Sequence, residues 1–521
     1  MMQDIKRRTR ISFFFALGVL LMILTRCSDD WLDVNTDPNH PQDVNVGFVF
    51  PAAVLSVSTC YGGVYNLLGG FWAQYWAQSN TSGTYRFIDS YDMEKGGYYY
   101  LANFDTAWSN MYAEGLRDLQ YVLEKSVQTD NWQYRLMSSV MLAFCFNFMT
   151  DLYGEIPYAE ALHGDSPVSE FNPAYDTGKD VYLDLIRRID EVLENVAAYQ
   201  WKGNEVADFI FQGDKDQWVR FANTLKLKMF LRMAYAEPAI AKQGVEALYA
   251  SNANFLDRDA KLDIFNDIHE LHNPLFHFDR YIVSVSTNLR VSEALFRYFE
   301  QNSDPRLSSV CEDEYDFGEY AKNGMPQGGF DLPSSVLDPY AIAVFNLDYD
   351  DPVYFISEVE SYLLQAEAIA RGWGTGEDKY YYDLAITTDF SRKGLTAEEV
   401  AFISPGGAYE YPVSGILEEK LKVIAMAKWA AMAGSQGLEA FFESIRSGYP
   451  EISMVNSWEN NDYNPLYTGG KFTYSLSGVT EGVFPRRMIY PYAESDHNEN
   501  FPGQTRVTDK IWWDKKTRQD P

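Results

Sequence analysis

The chain is dominated by apolar stripes that recur with the period of an α-helix. In several segments the apolar residues lie three and four positions apart, as they do on the buried face of a helix. These segments are residues 104–125, 132–150, 179–199, 216–235, 353–371, 415–433 and 435–446, and a further helix is predicted within 48–61, entered at Pro51. Each stripe must be covered by another helix, and stacked antiparallel pairs do this economically. We therefore predict a mainly α-helical fold of tetratricopeptide-type helix pairs, although no clean repeat of ~34 residues is present.

Long irregular stretches separate these helices. They are rich in Gly, Pro, Asn, Asp and aromatic residues, and they comprise residues 151–178, 255–290, 303–350, 404–414 and 448–521. Compact domains rarely keep such long loops unless the loops carry function. Aromatic residues make up 16% of the chain, which suits loops that stack on a ligand. The sequence thus predicts a helical scaffold that presents elaborate binding loops.

The N-terminus has the pattern of an export signal. A basic lead, Lys6–Arg10, precedes an apolar run, Ile11–Leu24, and Cys27 follows shortly after it. This order is typical of a secretory signal peptide, and the run is shorter than the ~20 residues of a membrane span. The position of Cys27 resembles the lipobox of bacterial lipoproteins, in which that cysteine becomes the lipidated first residue. Arg26 stands where the lipobox favours a small residue.

From this pattern we expect a lipoprotein signal peptide over 1–26 and a lipid on Cys27. Residues 27–45 would form a tether, and 27–521 would be a single domain outside the cell. The acidic residues after Cys27 resemble the signal that exports some lipoproteins to the outer face of the outer membrane. An uncleaved anchor and a plain signal peptide with an incidental cysteine are the alternatives.

The charge and the cysteines narrow the functional classes. The net charge of −31 repels phosphate backbones and anionic lipid surfaces, so we expect no nucleic-acid binding. Beyond Cys27 the cysteines are Cys60, Cys145 and Cys311, an odd number, and Cys145 lies in an apolar run. We expect a buried thiol there and no disulfide framework.

Five phrases, in order along the chain, together resemble one family. They are CSDDWLDVNTDPN at 27–39, TDLYGEIPY at 150–158, WVRFANTLKLK at 218–228, GLEAFFESIRSGYP at 437–450, and PRRMIYP at 485–491, the last followed by Asn498–Asn500 and IWWD at 511–514. The set resembles the SusD/RagB-type family of outer-membrane nutrient-binding lipoproteins, and its second SusD-like branch in particular. Most of these residues are expected to be structural, with Trp218 and Phe221 in the core.

The resemblance implies a fold, a partner and a role. The fold would be helix pairs packed against loops and small β elements. The partner would be a SusC-like TonB-dependent outer-membrane barrel, to which the lipoprotein passes a captured glycan, or in some members a peptide. The protein would not be an enzyme, would need no cofactor, and would sit at the cell surface on its lipid anchor.

The resemblance also suggests a ligand face made from residues 76–103 and about 278–346. Sugar rings present C–H faces to aromatic planes and hydroxyl groups to amides and charged side chains. The candidate ligand-binding residues are Trp76, Asn80, Tyr85, Arg86, Tyr281, Asn288, Arg290, Tyr315 and Tyr320.

Two other functional classes stay open from the sequence. A surface glycoside hydrolase needs two carboxylates ~5–9.5 Å apart, and the 74 acidic residues allow many pairs. A helical-repeat scaffold that binds only protein is the other. His269 and His272 do not have the zinc-protease spacing, and Asp348–Asp351 lacks the glycine and distal glutamate of an EF-hand loop, so we predict no metal site.

Overall fold

The computed structural model describes residues 44–93, 101–163, 172–196, 198–199, 201, 207–285, 287–312, 323–395 and 399–516. The chain divides into two compact units, residues 1–48 and 49–521. The predicted signal peptide, Cys27 and nearly all of the tether lie outside the described residues and stay predictions. Tyr315 and Tyr320 also lie outside them.

Helices make up about 52% of the chain, which confirms the predicted fold class. In chain order they are α1 Val46–Thr59, α2 Asn66–Trp72, α3 Arg86–Asp89, α4 Leu101–Asn110, α5 Arg117–Gln128, α6 Trp132–Tyr153, α7 Gly178–Val196, α8 Lys215–Arg232, α9 Pro238–Ala250, α10 Pro274–Phe276, α11 Glu293–Gln301, α12 Arg306–Ser309, α13 Glu358–Ala370, α14 Asp378–Arg392, α15 Glu399–Ile403, α16 Leu417–Ala431, α17 Gly437–Ser447 and α18 Tyr492–His497. Wider π-helical turns at Cys60–Tyr65, Met111–Leu116 and His277–Ile282 join or extend some of them.

The strands are short and pair only in twos among the described residues. They are β1 Trp76–Gln78, β2 Ile156–Pro157, β3 Tyr175–Asp176, β4 Ala260–Leu262, β5 Leu289–Val291, β6 Val353–Ile356, β7 Trp458–Glu459 and β8 Asp462–Tyr463. The antiparallel pairs are β1 with β5, β2 with β3, β4 with β6, and β7 with β8. These pairs match the small β elements that the resemblance implied.

Neighbouring helices pack against one another as the apolar stripes predict. Helix α5 packs on α6, α6 on α7, α13 on α14, and α16 on α17. In α7 the predicted stripe is buried, from Val181 and Leu185 to Val196. Side-chain oxygens at the helix starts accept backbone N–H bonds; for example, Asp214 caps α8 and Ser357 caps α13.

Helix α6 is the centre of this packing. Nearly every residue from Trp132 to Tyr153 is buried, because α5, α7 and α8 cover different faces of it. This helix, like Val46–Trp72, is long and apolar enough to cross a membrane, but 94% of its most apolar window lies inside the fold. It is therefore a core helix. Trp218 and Phe221 are fully buried, and Cys60, Cys145 and Cys311 are buried free thiols, as expected for Cys145.

The prediction from the sequence differs from the structure at several elements. Residues 353–356 were assigned to a helix but form β6, because these four apolar residues are all buried in a pair with β4 and Ser357 then starts α13. Helices α9, α11 and α14 were not predicted. Pro51 lies inside α1 rather than at its entry.

A network of buried charges lies between α6, α8, α13, α16 and α17. Arg232 contacts Asp151, Glu439 and Glu443, and Lys228 reaches Glu439 at 2.7 Å. Arg446 pairs with Glu367 at 2.6 Å, and Lys428 with Glu439 at 3.1 Å. The sequence phrases at 150–158, 218–228 and 437–450 thus meet in one ionic core.

Candidate functional site

The two predicted ligand loops meet in one platform. We use the name loop platform for residues 76–93, 277–292 and 323–346. Strands β1 and β5 join its first two segments, with Trp76 opposite Val291 and Gln78 opposite Leu289. Bridges from Arg290 to Val344 and from Ser292 to Met325 add the third segment. Loops that are far apart in the sequence are therefore held in a fixed register.

The buried carboxylate of Asp279 fastens two of these segments. It accepts a hydrogen bond of 2.7 Å from the Tyr85 hydroxyl and one of 3.4 Å from the Asn288 amide, and Arg280 pairs with its other oxygen. Burial raises the pKa of the Asp279 carboxyl, and the charge of Arg280 opposes that rise. Asn288 in turn accepts from the Ser82 hydroxyl at 2.5 Å. These bonds hold residues 82–85 and 279–288 together inside the platform.

Asp89 is a second buried carboxylate that joins segments of the platform. Its carboxylate accepts from the backbone N–H groups of Gln78 at 2.8 Å and Gly328 at 3.0 Å, and from the Gln327 amide. Burial raises the pKa of Asp89 to about 7, and these donors oppose that rise. The carboxylates of Asp279 and Asp89 therefore hold the platform loops together through buried hydrogen bonds.

The solvent side of the platform presents different groups. Arg86 forms an exposed ion pair with Asp331 at 3.0 Å and lies over the Phe330 ring at 5.1 Å. The half-buried Asn80 donates to the carbonyl oxygens of Leu332 and Leu337. Arg86 thus presents a planar cation, and Asn80 keeps its amide oxygen as an acceptor, because both of its donor bonds are made within the platform.

Among the candidates that the structure describes, Tyr281 is the exposed aromatic residue, with 48% of its surface accessible. Its ring stacks on His277 at 5.1 Å and meets His269 edge-on at 4.3 Å, with His272 at 5.9 Å. Burial lowers the pKa of His277, and the neighbouring His272 and His269 lower it further. The result is a supported aromatic surface at the edge of the platform.

The structure separates the seven described candidate residues by burial. Arg86, Tyr281 and Asn80 reach solvent, whereas the side chains of the remaining described candidates are enclosed: Trp76, Tyr85, Asn288 and Arg290. The Trp76 ring packs edge-on against Phe345 at 5.0 Å, and Arg290 donates to the Ile342 carbonyl at 2.8 Å. In this structure those four form the framework of the platform, and their contact with a ligand stays a prediction.

Sequence reasoning missed two parts of this surface. Tyr340 is 70% exposed on the platform, and the rings of His269 and His277 support Tyr281. The clustering of histidines around 269–277 was visible in the sequence, but their contact with Tyr281 was not. Among the residues that the structure describes, no group of three or more His, Cys, Asp or Glu side chains has the geometry to hold a metal ion.

Known proteins resemble this chain in sequence and in fold. A family model described as "Starch-binding associating with outer membrane" matches residues 58–468. No curated protein matches the sequence.

Several solved structures share the fold. One, a chitin-binding protein, is 21% identical with a TM-score of 0.70, and the match covers 91% of this chain and 100% of that one. A chitin-binding SusD homolog from Flavobacterium johnsoniae is 19% identical with a TM-score of 0.70, over 91% and 99% of the two chains. A SusD homolog from Bacteroides uniformis is 22% identical with a TM-score of 0.69, over 91% and 100%.

Proposed function

The chain belongs to the SusD-like family, and on that premise we propose that it captures a nutrient glycan at the outer membrane. The observation that carries the proposal is the loop platform. Its interior hydrogen bonds fix the loops, while Arg86, Asn80 and the exposed ring of Tyr281 face solvent. An aromatic plane, a guanidinium and an amide are all groups that can contact a sugar ring.

The finer parts of the proposal concern the anchor and the partner. Cys27 would carry the lipid, and a SusC-like TonB-dependent barrel would receive the glycan. The names of two similar structures, both chitin-binding, support a glycan as the ligand. A peptide ligand is the alternative within the same family.

The test uses the purified full-length protein in detergent with maltoheptaose, N-acetylchitohexaose and a mixed tripeptide library, followed by titration calorimetry. We expect one of the glycans to bind and Tyr281→Ala to weaken it about tenfold, since an aromatic contact contributes ~0.5–1.5 kcal/mol and 1.4 kcal/mol is a factor of ten. Arg86→Ala is expected to weaken binding as well.

Tyr380→Ala is the matched control, because Tyr380 is a similarly exposed tyrosine on α14, outside the platform. Equal losses in Tyr281→Ala and Tyr380→Ala would contradict the platform as the binding surface. Release of reducing sugar from the glycan would instead support the hydrolase alternative, and binding of the peptides alone would support the peptide-binding one.

A further inference from the structure

A second cleft lies in the helical scaffold and shares no residue with the loop platform. It has a volume of about 810 Å³, within the ~300–1,000 Å³ typical of small-molecule sites. We call it the scaffold cleft, and its walls are residues 209–212 before α8, 258–263 around β4, Glu358 at the start of α13, and 387–392 at the end of α14. The function proposed above does not use it.

One wall is a row of hydroxyl groups. Thr387, Thr388 and Ser391 lie on the outward side of α14, while Tyr382 and Ile386 face the core. The Thr387 hydroxyl donates to the Leu384 carbonyl at 3.0 Å, so its oxygen remains able to accept a hydrogen bond. These three hydroxyl groups offer hydrogen-bond donors and acceptors without charge.

The charged side chains that line the cleft balance one another. Arg392 pairs with Asp259 at 2.8 Å, and Lys261 pairs with Asp263 at 2.8 Å. Arg258 is held at 2.9 Å by Asp214, outside the cleft. The cleft lining thus contains three cations and three carboxylates, in a chain whose net charge is −31. Local neutrality favours an uncharged ligand over a polyanion or a polycation.

Glu358 is the third carboxylate. Among the residues that the structure describes, its side chain makes no hydrogen bond and no ion pair, although its backbone N–H donates to Asp259 at 2.9 Å. Burial raises the pKa of Glu358 to about 7; the charge of Asp259 adds to that rise, and the charges of Arg392 and Lys261 oppose it. A half-buried carboxyl group without a partner is ready to bond a hydroxyl group of a ligand.

Phe209 also lines the cleft and adds an aromatic ring to its polar groups. Its ring is 52% exposed, although large apolar side chains are usually buried. An open aromatic face beside hydroxyl groups and a free carboxyl group matches the C–H faces and hydroxyl groups of a sugar.

We propose that the scaffold cleft is a second binding site for a neutral oligosaccharide, with Phe209 as the stacking surface and Glu358, Thr388 and Ser391 as hydrogen-bonding groups. The identity of the ligand as a glycan rests on the proposed function, whereas the location does not. Two sites on one molecule would let a long glycan, or two glycan chains, engage it at once.

Hydrogen–deuterium exchange of the full-length protein tests the inference, with maltoheptaose, N-acetylchitohexaose and the anionic tetragalacturonic acid as probes. We expect a neutral probe to slow exchange in residues 209–213 and 387–392 as well as in the platform. Phe209→Ala and the isosteric Thr388→Val are expected to remove protection from the cleft alone, and Tyr281→Ala from the platform alone. The anionic probe is expected to give no protection in the cleft.

Each outcome separates the two claims. Protection of the platform without protection of the cleft overturns the second site and leaves the proposed function standing. Protection nowhere, with every neutral probe, overturns both. Cleft protection by tetragalacturonic acid alone, or cleft protection that Phe209→Ala and Thr388→Val leave unchanged, overturns the neutral sugar site as described.

Discussion

Arg232 lies in the middle of the fold with its guanidinium shielded from water and three carboxylates around it. Lys228 and Lys428 share the carboxylate of Glu439 with it. A buried charge is costly unless it is paired, so these residues depend on one another. Their role is to fix how the helices meet.

Glu439→Gln is therefore expected to destabilise the protein by ~3–5 kcal/mol, because it leaves buried cations without their shared anion. Denaturant unfolding followed by circular dichroism measures the change. The control is Glu191→Gln, which removes an exposed ion pair with Arg187 and is expected to cost less than ~1 kcal/mol. A loss of similar size in both variants would contradict the role of the network.

The same residues predict the response to acid. Burial alone would raise the pKa of Glu439, but Arg232, Lys228 and Lys428 hold it at about 2, below its usual 4.5. The pKa of Glu367 is also held at about 2, by Arg446 and Arg371 against the effect of burial. In both cases the folded-state pKa lies below the unfolded one, so their stabilisation is complete above pH ~4.5 and is lost as the pH falls toward 2.

We expect the thermal midpoint to fall steeply between pH 4.5 and 2, and to fall less in Glu439→Gln than in the native protein. Differential scanning calorimetry over this range measures both curves. Carboxyl groups with a raised pKa, such as Asp89 at about 7, titrate above this window. Parallel curves for the two proteins would contradict the assignment to Glu439.

Helices α2 and α17 show what a close approach requires of an element. A Cβ atom on Gly69 would lie 2.2 Å from the backbone nitrogen of Leu438, and one on Gly437 would lie 2.5 Å from that of Gly70. Both obstacles are backbone atoms, which cannot rotate away. Glycine is needed here for space, and the Gly437 N–H also donates to Asn66 at 2.7 Å across the same contact.

Gly69→Ala is accordingly expected to destabilise the protein by at least ~1–3 kcal/mol, the usual cost of overpacking, despite the better helix propensity of alanine. Chemical denaturation gives the value. Gly83→Ala is the control, since its new Cβ would meet only the exposed Arg86 side chain. An unchanged denaturation midpoint for Gly69→Ala would contradict the need for glycine at the contact between α2 and α17.

The period of the apolar residues was enough to predict most of the long helices, because each buries one stripe. It missed α9, α11 and α14, and it assigned β6 to a helix, since four buried apolar residues such as Val353–Ile356 fit either element. For the site, the sequence predicted two loops, and the structure joins them through β1 and β5. It could not tell that Trp76 and Tyr85 are enclosed while Tyr281 is open, because burial depends on partners such as Phe345 and Asp279 that are distant in the chain.

At the scale of the whole molecule, the net charge of the chain limits how the protein can be attached to a membrane. A net charge of −31 gives no attraction to an anionic lipid surface, so attachment to the outer membrane has to come from elsewhere. The lipid that we propose on Cys27 would supply it, because each buried CH₂ of an acyl chain contributes ~0.8 kcal/mol and two or more chains give stable anchoring.

We expect Cys27→Ser to move the protein from the membrane fraction to the soluble fraction. Detergent phase partition with immunoblotting measures the shift, and mass spectrometry of the N-terminal peptide tests for acyl chains. Ser28→Ala, which keeps the thiol, is expected to stay with the membrane. Retention of Cys27→Ser in the membrane fraction would point to an uncleaved apolar anchor instead.

The clasp between Tyr85 and Asp279 joins residues that are 194 positions apart in the chain. A chimera that takes only one of these two loops from a relative would keep one partner of this hydrogen bond and replace the surroundings of the other. Exchange of the platform between relatives would therefore require residues 76–93 and 277–292 to be transplanted together, because a single crossover between them separates Tyr85 from Asp279.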